Sequence, residues 1–176
     1  MHKVSALIAA MIMAIAMVTA CAASQPSLVM HRQLAGEGGA DGWYPARSTK
    51  GGFSVRLPAQ FNDFSIPASR QDNGHVAELD VVGTKIQDIG KFTATCIRYL
   101  DKGPGKDAIL APFKGMGGTP FKDAHGEGVD VRAPEGATKV YALPGRTCLL
   151  VVEIYDDEVV TPEVIGQFLG SFTLDD

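Results

Sequence analysis

The stretch Cys148-Leu149-Leu150-Val151-Val152-Glu153-Ile154-Tyr155 carries apolar side chains at both odd and even positions. Successive residues of a strand point to opposite faces, so this run predicts a central strand covered on both sides. Lys91 to Leu100 has the same two-sided character, with Phe92, Ala94 and Cys96 on one parity and Ile97 and Tyr99 on the other. A sheet containing such strands needs a layer of cover on each face.

Elsewhere the alternation is one-sided. Phe53, Val55 and Leu57 alternate with Ser54 and Arg56 until Pro58 ends the run, and Ala77, Leu79 and Val81 alternate with Glu78 and Asp80. Both read as half-buried strands. The short connections "DKGPG" and "ALPGR" favour antiparallel pairing.

Two segments offer themselves as helical cover. Thr161 to Leu169 has an N-capping threonine, Pro162 at the first helical position, Glu163 near the positive end of the dipole, and Gly170 as terminator. Val164, Ile165, Phe168 and Leu169 share one face. Asp107 to Phe113 is weaker, because Pro112 lies inside it. The expected fold is therefore α+β: a single domain with an antiparallel β-sheet flanked by helices on both faces.

Trp43-Tyr44, then Lys50-Gly51-Gly52-Phe53-Ser54-Val55-Arg56-Leu57-Pro58, a run of strands, and the closing Phe168-Leu169-Gly170-Ser171-Phe172 resemble the small domains of the PsbP/Mog1-like superfamily. The resemblance covers about Trp43 to Leu174 and its motifs are structural. It implies an antiparallel sheet with helices on both faces and a role in binding or assembly. It carries over no catalytic residue, and a fold alone does not license a function.

The first residues read differently. His2 and Lys3 form a positive start, and Val4 to Val18 is an apolar run of about 15 residues, shorter than the roughly 20 that a spanning helix needs. This is the pattern of an export signal. Val18-Thr19-Ala20-Cys21 resembles the bacterial lipobox, whose cysteine thiol is diacylglycerylated before the bond ahead of it is cut. The alternative is an ordinary small-x-small site, Ala20-Cys21-Ala22, cut before Ala23, which would discard Cys21. The expected organisation is a signal peptide over 1–20, a flexible tether over 21–42 rich in Ala, Ser, Pro and Gly, and the domain over 43–176.

Cysteine count favours keeping Cys21. Three cysteines in an exported chain leave one unpaired, and acylating Cys21 leaves Cys96 and Cys148 as an even pair. Both lie in strand-like runs and are expected to face each other as a disulfide; the alternative is two buried, reduced thiols. Neither belongs to a Cys-x-x-Cys motif, which argues against redox catalysis.

With one Lys and no acid among the first 21 residues, the remainder holds 15 basic and 20 acidic residues, a formal charge of −5. That argues against nucleic acid as a partner. No Gly-x-Ser-x-Gly elbow, Walker loop or His-Glu-x-x-His motif occurs, so no catalytic residue, metal ligand or cofactor is assigned and the chain is not read as an enzyme. His75 and His125 are the histidines expected within the domain, with no partner Ser singled out for either. Lys122 to Asp130 gathers carboxylates and His125 in a polar hairpin, at spacings that fit neither a helical His pair nor a calcium loop. Trp43 and Tyr44 are expected to plug the core edge or to anchor a partner.

The resulting expectation is a bacterial cell-envelope lipoprotein, bound to a membrane through acylated Cys21 and presenting a binding or assembly module to an envelope protein. The outer membrane, facing the periplasm, is the expected location. The alternatives are a soluble periplasmic or secreted protein with the same domain, or a small hydrolase.

Overall fold

The computed structural model describes residues 27–175. Cys21, the signal peptide and the first part of the tether lie outside the described residues. Eleven strands and two helices follow in chain order: β1 (Val29–Ala35), β2 (Tyr44–Arg47), β3 (Phe53–Leu57), β4 (Phe61–Arg70), β5 (Val76–Ile86), β6 (Gly90–Tyr99), α1 (Lys106–Gly115), β7 (Thr119–Asp123), β8 (Gly126–Ala133), β9 (Gly136–Leu143), β10 (Arg146–Ile154), α2 (Pro162–Gly170) and β11 (Thr173–Leu174).

The main sheet has eight strands in the order β1-β4-β5-β6-β10-β9-β8-β7, every pair antiparallel. The strand built on Cys148 to Ile154 lies in its interior, between β6 and β9, as the two-sided pattern predicts. A second sheet of three strands, β11-β3-β2, lies over one face. Phe53, Val55 and Leu57 of β3 point inward from it and are 0, 2 and 0% exposed.

This corrects the expected fold class. The described residues are 53% strand and 13% helix, so the molecule is mostly β and is not an α+β sheet flanked by helices on both faces. On one face the cover inferred for the central strands comes chiefly from the small sheet; the other face is only partly covered, with Ile97 and Tyr99 of β6 half-buried. Phe92, Ala94 and Cys96 of β6 and Cys148, Leu150 and Val152 of β10 pack in one cluster with Phe53, Val55, Leu57, Ile165, Phe168 and Leu169. Helix α2 contributes only one edge of that layer, with Phe168 edge-on to Phe92 at 5.5 Å. Its N-cap is Thr161, whose hydroxyl accepts from the Val164 amide. On the opposite face α1 covers only the β8–β9 end, through Leu110 against Val129, Val131 and Val140. Pattern periodicity demands cover on a face without saying whether helix or sheet supplies it.

Two local readings also change. β5 is not a half-buried strand: Asp80, Val82 and Thr84 lie on the inner face at 4, 0 and 7% exposed, while Ala77 and Val81 on the other face are 0 and 7% exposed. Both of its neighbours are paired, so polar side chains on the Asp80 parity are enclosed too. The chain also joins the domain before Trp43. Val29–Ala35, inside the segment expected as tether, is the edge strand β1, paired with β4 through Val29↔Ser65, Met30↔Phe64, Arg32↔Asp63 and Ala35↔Phe61.

Candidate functional site

Cys96 and Cys148 are direct cross-strand partners of β6 and β10, with Cα atoms 4.1 Å apart, and they form a disulfide. Antiparallel partners stand this close where the strands exchange no hydrogen bonds between them. The bridge is 3 and 0% exposed at its two residues, so it is enclosed by the inner layer. It closes a separation of 52 residues, worth about 4 kcal/mol of chain entropy in the unfolded state.

The same inner face carries an unusual polar group. Cys96 is opposite Asp80, and Asp80 is opposite Ser65 of β4. The Ser65 hydroxyl donates to Asp80 Oδ1 at 2.6 Å, and His31 Nε2 of β1 lies 2.7 Å from Ser65 Oγ. The Ser65 hydroxyl has a single proton and gives it to Asp80, so its bond with His31 is one it accepts, from Nε2–H. The polarity is therefore the reverse of a hydrolytic triad, in which the imidazole takes the serine proton. This arrangement ties β1 to β4 and β5.

A second lock lies one row away. Asp63, 0% exposed, accepts at Oδ2 from Arg32 Nε (3.0 Å), Arg32 Nη2 (2.7 Å), the Thr49 amide (3.0 Å) and the Thr49 hydroxyl (2.5 Å). Its Oδ1 is buried with no hydrogen-bond partner among the described residues. Arg32 Nη2 also donates to the Arg47 carbonyl, and its guanidinium lies 5.1 Å from the centre of the Phe61 ring. A buried carboxylate must be compensated, and here the compensating charge comes from β1. The edge strand is thus held by two buried acids as well as by its ladder.

Sequence reasoning missed His31 because it was assigned to the tether. The available signal was on β4: Asp63 and Ser65 share the parity of Phe61, which places polar groups on a core-facing row that needs partners.

The residues weighed in the sequence are placed apart. His75 Nδ1 is 3.1 Å from Asp101 Oδ1, and Asp101 also accepts from the Val76 and Gly103 amides at 2.8 Å each. The Val76 amide, then the Gly103 amide, hold that carboxyl below the usual carboxylate range; the group ties a turn together. His125 stacks edge-on against Tyr141 and Phe172 at the β7–β8 hairpin. In that hairpin Asp123 accepts from Tyr141 Oη (2.9 Å), the His125 amide (2.9 Å) and Lys139 Nζ (3.2 Å). Burial raises the Asp123 carboxyl, but these three donors outweigh it and hold it below its ordinary value. Burial, then the bond to Asp123, pushes the Tyr141 phenol well above its ordinary value. Glu127 is paired with Lys106 and Lys122, and Asp130 with Arg132. These carboxylates serve as ion-pair partners, and no group of three or more His, Cys, Asp or Glu suited to a metal occurs among the described residues. Trp43 and Tyr44 are half-buried and pack against the main cluster.

No protein family, curated protein or solved structure matches this chain.

Two further surfaces bear on binding. An open cleft of about 640 Å³ is lined by Arg32, Arg47, Ser48, Thr49, Lys50, Gly52 and Asp175. It looks cationic, yet Arg32 is paired with Asp63 and Arg47 with Asp175 at 3.0 Å, so most of its charge is already neutralised. The other surface is apolar. One cross-strand row on the α1 side runs Met30–Phe64–Val81–Thr95–Leu149. Leu149 packs against the α1 cluster, whereas Phe64, Ile66, Leu79 and Ile97 are half-buried and belong to neither core cluster. The β1 end of this face is also where the chain enters the domain.

Proposed function

We propose that the protein is an exported bacterial envelope lipoprotein, held to the membrane by acylated Cys21 and offering its β-rich domain as a binding or assembly module. The Cys96–Cys148 disulfide carries this reading. Disulfides persist in oxidising compartments, which agrees with export, and the pairing uses both cysteines of the domain and leaves Cys21 as the odd thiol beside a lipobox-like sequence. The half-buried apolar sheet face supplies a surface for an envelope protein. The reversed polarity at Ser65 and the ion-paired carboxylates of the β7–β8 hairpin favour binding over hydrolysis. The negative charge of the mature chain disfavours nucleic acid, and the outer membrane, facing the periplasm, is the proposed location.

Intact mass of the protein from a membrane fraction tests the anchor. A chain beginning at Cys21 with a diacylglyceryl adduct is expected, and Cys21→Ser should move the protein to the soluble fraction. A chain beginning at Ala23 overturns the lipoprotein reading and leaves a soluble periplasmic or secreted protein. For the module itself, crosslinking in the native envelope should give a discrete adduct that is lost on replacing Leu79 and Ile97 by Ser in a folded chain.

A further inference from the structure

The described residues include seven large apolar side chains that are strongly exposed, and three of them are consecutive: Leu28 at 51%, Val29 at 40% and Met30 at 45%. The ladder sets Val29 opposite Ser65 and Met30 opposite Phe64, so this entry segment runs beside the far end of β4. That end continues as Ile66-Pro67-Ala68, with Pro67 and Ala68 exposed. Neither Leu28–Met30 nor Phe64–Ala68 contains a charged residue. Val29 and Met30 point to opposite faces, so these residues straddle the free edge of the sheet, and this corner, where the chain enters, is apolar on both sides of the edge.

Chain length says what covers it. Leu28 follows Cys21 by seven residues, which can span at most about 25 Å even when fully extended. A bilayer carrying the Cys21 lipid is therefore always within reach of the corner. β1 cannot swing away freely, because Arg32 is paired with Asp63 and His31 bonds Ser65, which is itself bonded to Asp80. We propose that Leu28, Val29, Met30, Ile66, Pro67 and Ala68 form a membrane-contacting surface that seats in the headgroup–acyl boundary beside the lipid anchor. The sheet then rises from the membrane by its β1 edge, with β7, seven strand spacings or roughly 34 Å away, outermost. The proposal rests on the lipoprotein reading. It adds an orientation that a loose tether would not give. The mature chain is net acidic, so the contact is apolar rather than electrostatic and needs no anionic lipid.

Depth-dependent quenching tests it on the full-length, natively processed protein in zwitterionic vesicles containing brominated-chain lipid. In a Trp43→Phe background, Met30→Trp places a fluorophore in the corner and Lys122→Trp places one on β7; Leu28→Trp is a second corner probe. At a depth of roughly 5–10 Å the corner tryptophan should lose about half or more of its emission, unchanged by added salt, while the β7 tryptophan loses little. Flotation with the vesicles, with neither position quenched or both quenched alike, overturns the oriented contact and leaves the lipid anchor standing. Failure to float, with a mass lacking the diacylglyceryl group, overturns the anchor and the contact with it.

Discussion

Asp123 and Tyr141 are joined by one 2.9 Å hydrogen bond, and each is displaced in the direction that favours it: the carboxyl down, the phenol up. A carboxyl whose folded pKa is depressed adds stability above its unfolded value, about 3.9, and that stability is lost as pH falls through the folded value. A phenol whose folded pKa is raised adds stability below its unfolded value, about 10, and loses it as pH rises further. Denaturant midpoints measured across pH should therefore show a flatter acid limb for Asp123→Asn and a flatter alkaline limb for Tyr141→Phe. Each change should cost on the order of 1 kcal/mol at neutral pH. Curves parallel to the wild type would show that the pair is not linked to folding. At this scale the sequence was only partly legible. An Asp among other charges in a polar hairpin looks solvated, and nothing in Lys122 to Asp130 announces that a tyrosine on β9 will bond to it. Ser65, Asp80 and His31 are 15 to 49 residues apart, and meet only because three strands register.

Elements were more legible than their partners. The strand on Cys148 to Ile154, the strand on Phe53 to Leu57 and the helix after Thr161 all follow from alternation, capping and turn chemistry that act within a few residues. The edge strand β1 was hidden by its composition and its irregularity. It has register shifts on both sides of Arg32, and Leu34 adopts a left-handed conformation at φ 46°, which a bulky residue rarely does. Such bulges bend an edge strand and hinder pairing with another chain. The disulfide belongs to this scale because it staples β6 to β10 at the centre of the sheet. Replacing both cysteines by Ala should lower unfolding free energy by about 2–4 kcal/mol in urea titration without shifting secondary structure. An unchanged midpoint would mean that packing alone fixes the two strands.

Across the whole molecule, two sheets must be held face to face, and Phe172 bridges them. Its ring lies 6.1 Å from Phe53 of the small sheet and 5.1 Å from Tyr141 of the large one, stacked on the latter, and it is 3% exposed. Phe172→Ala should cost about 3–5 kcal/mol, read from chemical unfolding, and should weaken the near-ultraviolet dichroism of the packed tyrosine. A cost below about 1 kcal/mol would show that the layers are held elsewhere. The sequence by itself determined the strands on Phe53 to Leu57 and Cys148 to Ile154, the helix after Thr161, the tight β9–β10 hairpin and the cysteine parity, because these depend on side-chain alternation and local chain geometry. Only the tertiary structure decided that a second sheet covers one face of the central strands while the other stays partly open, and that the entry segment becomes β1, clamped by Asp63 directly and by Asp80 through Ser65. Those outcomes turn on pairings between residues far apart in the chain, where the choice among partners depends on register and on compensating buried charge, which no local pattern encodes.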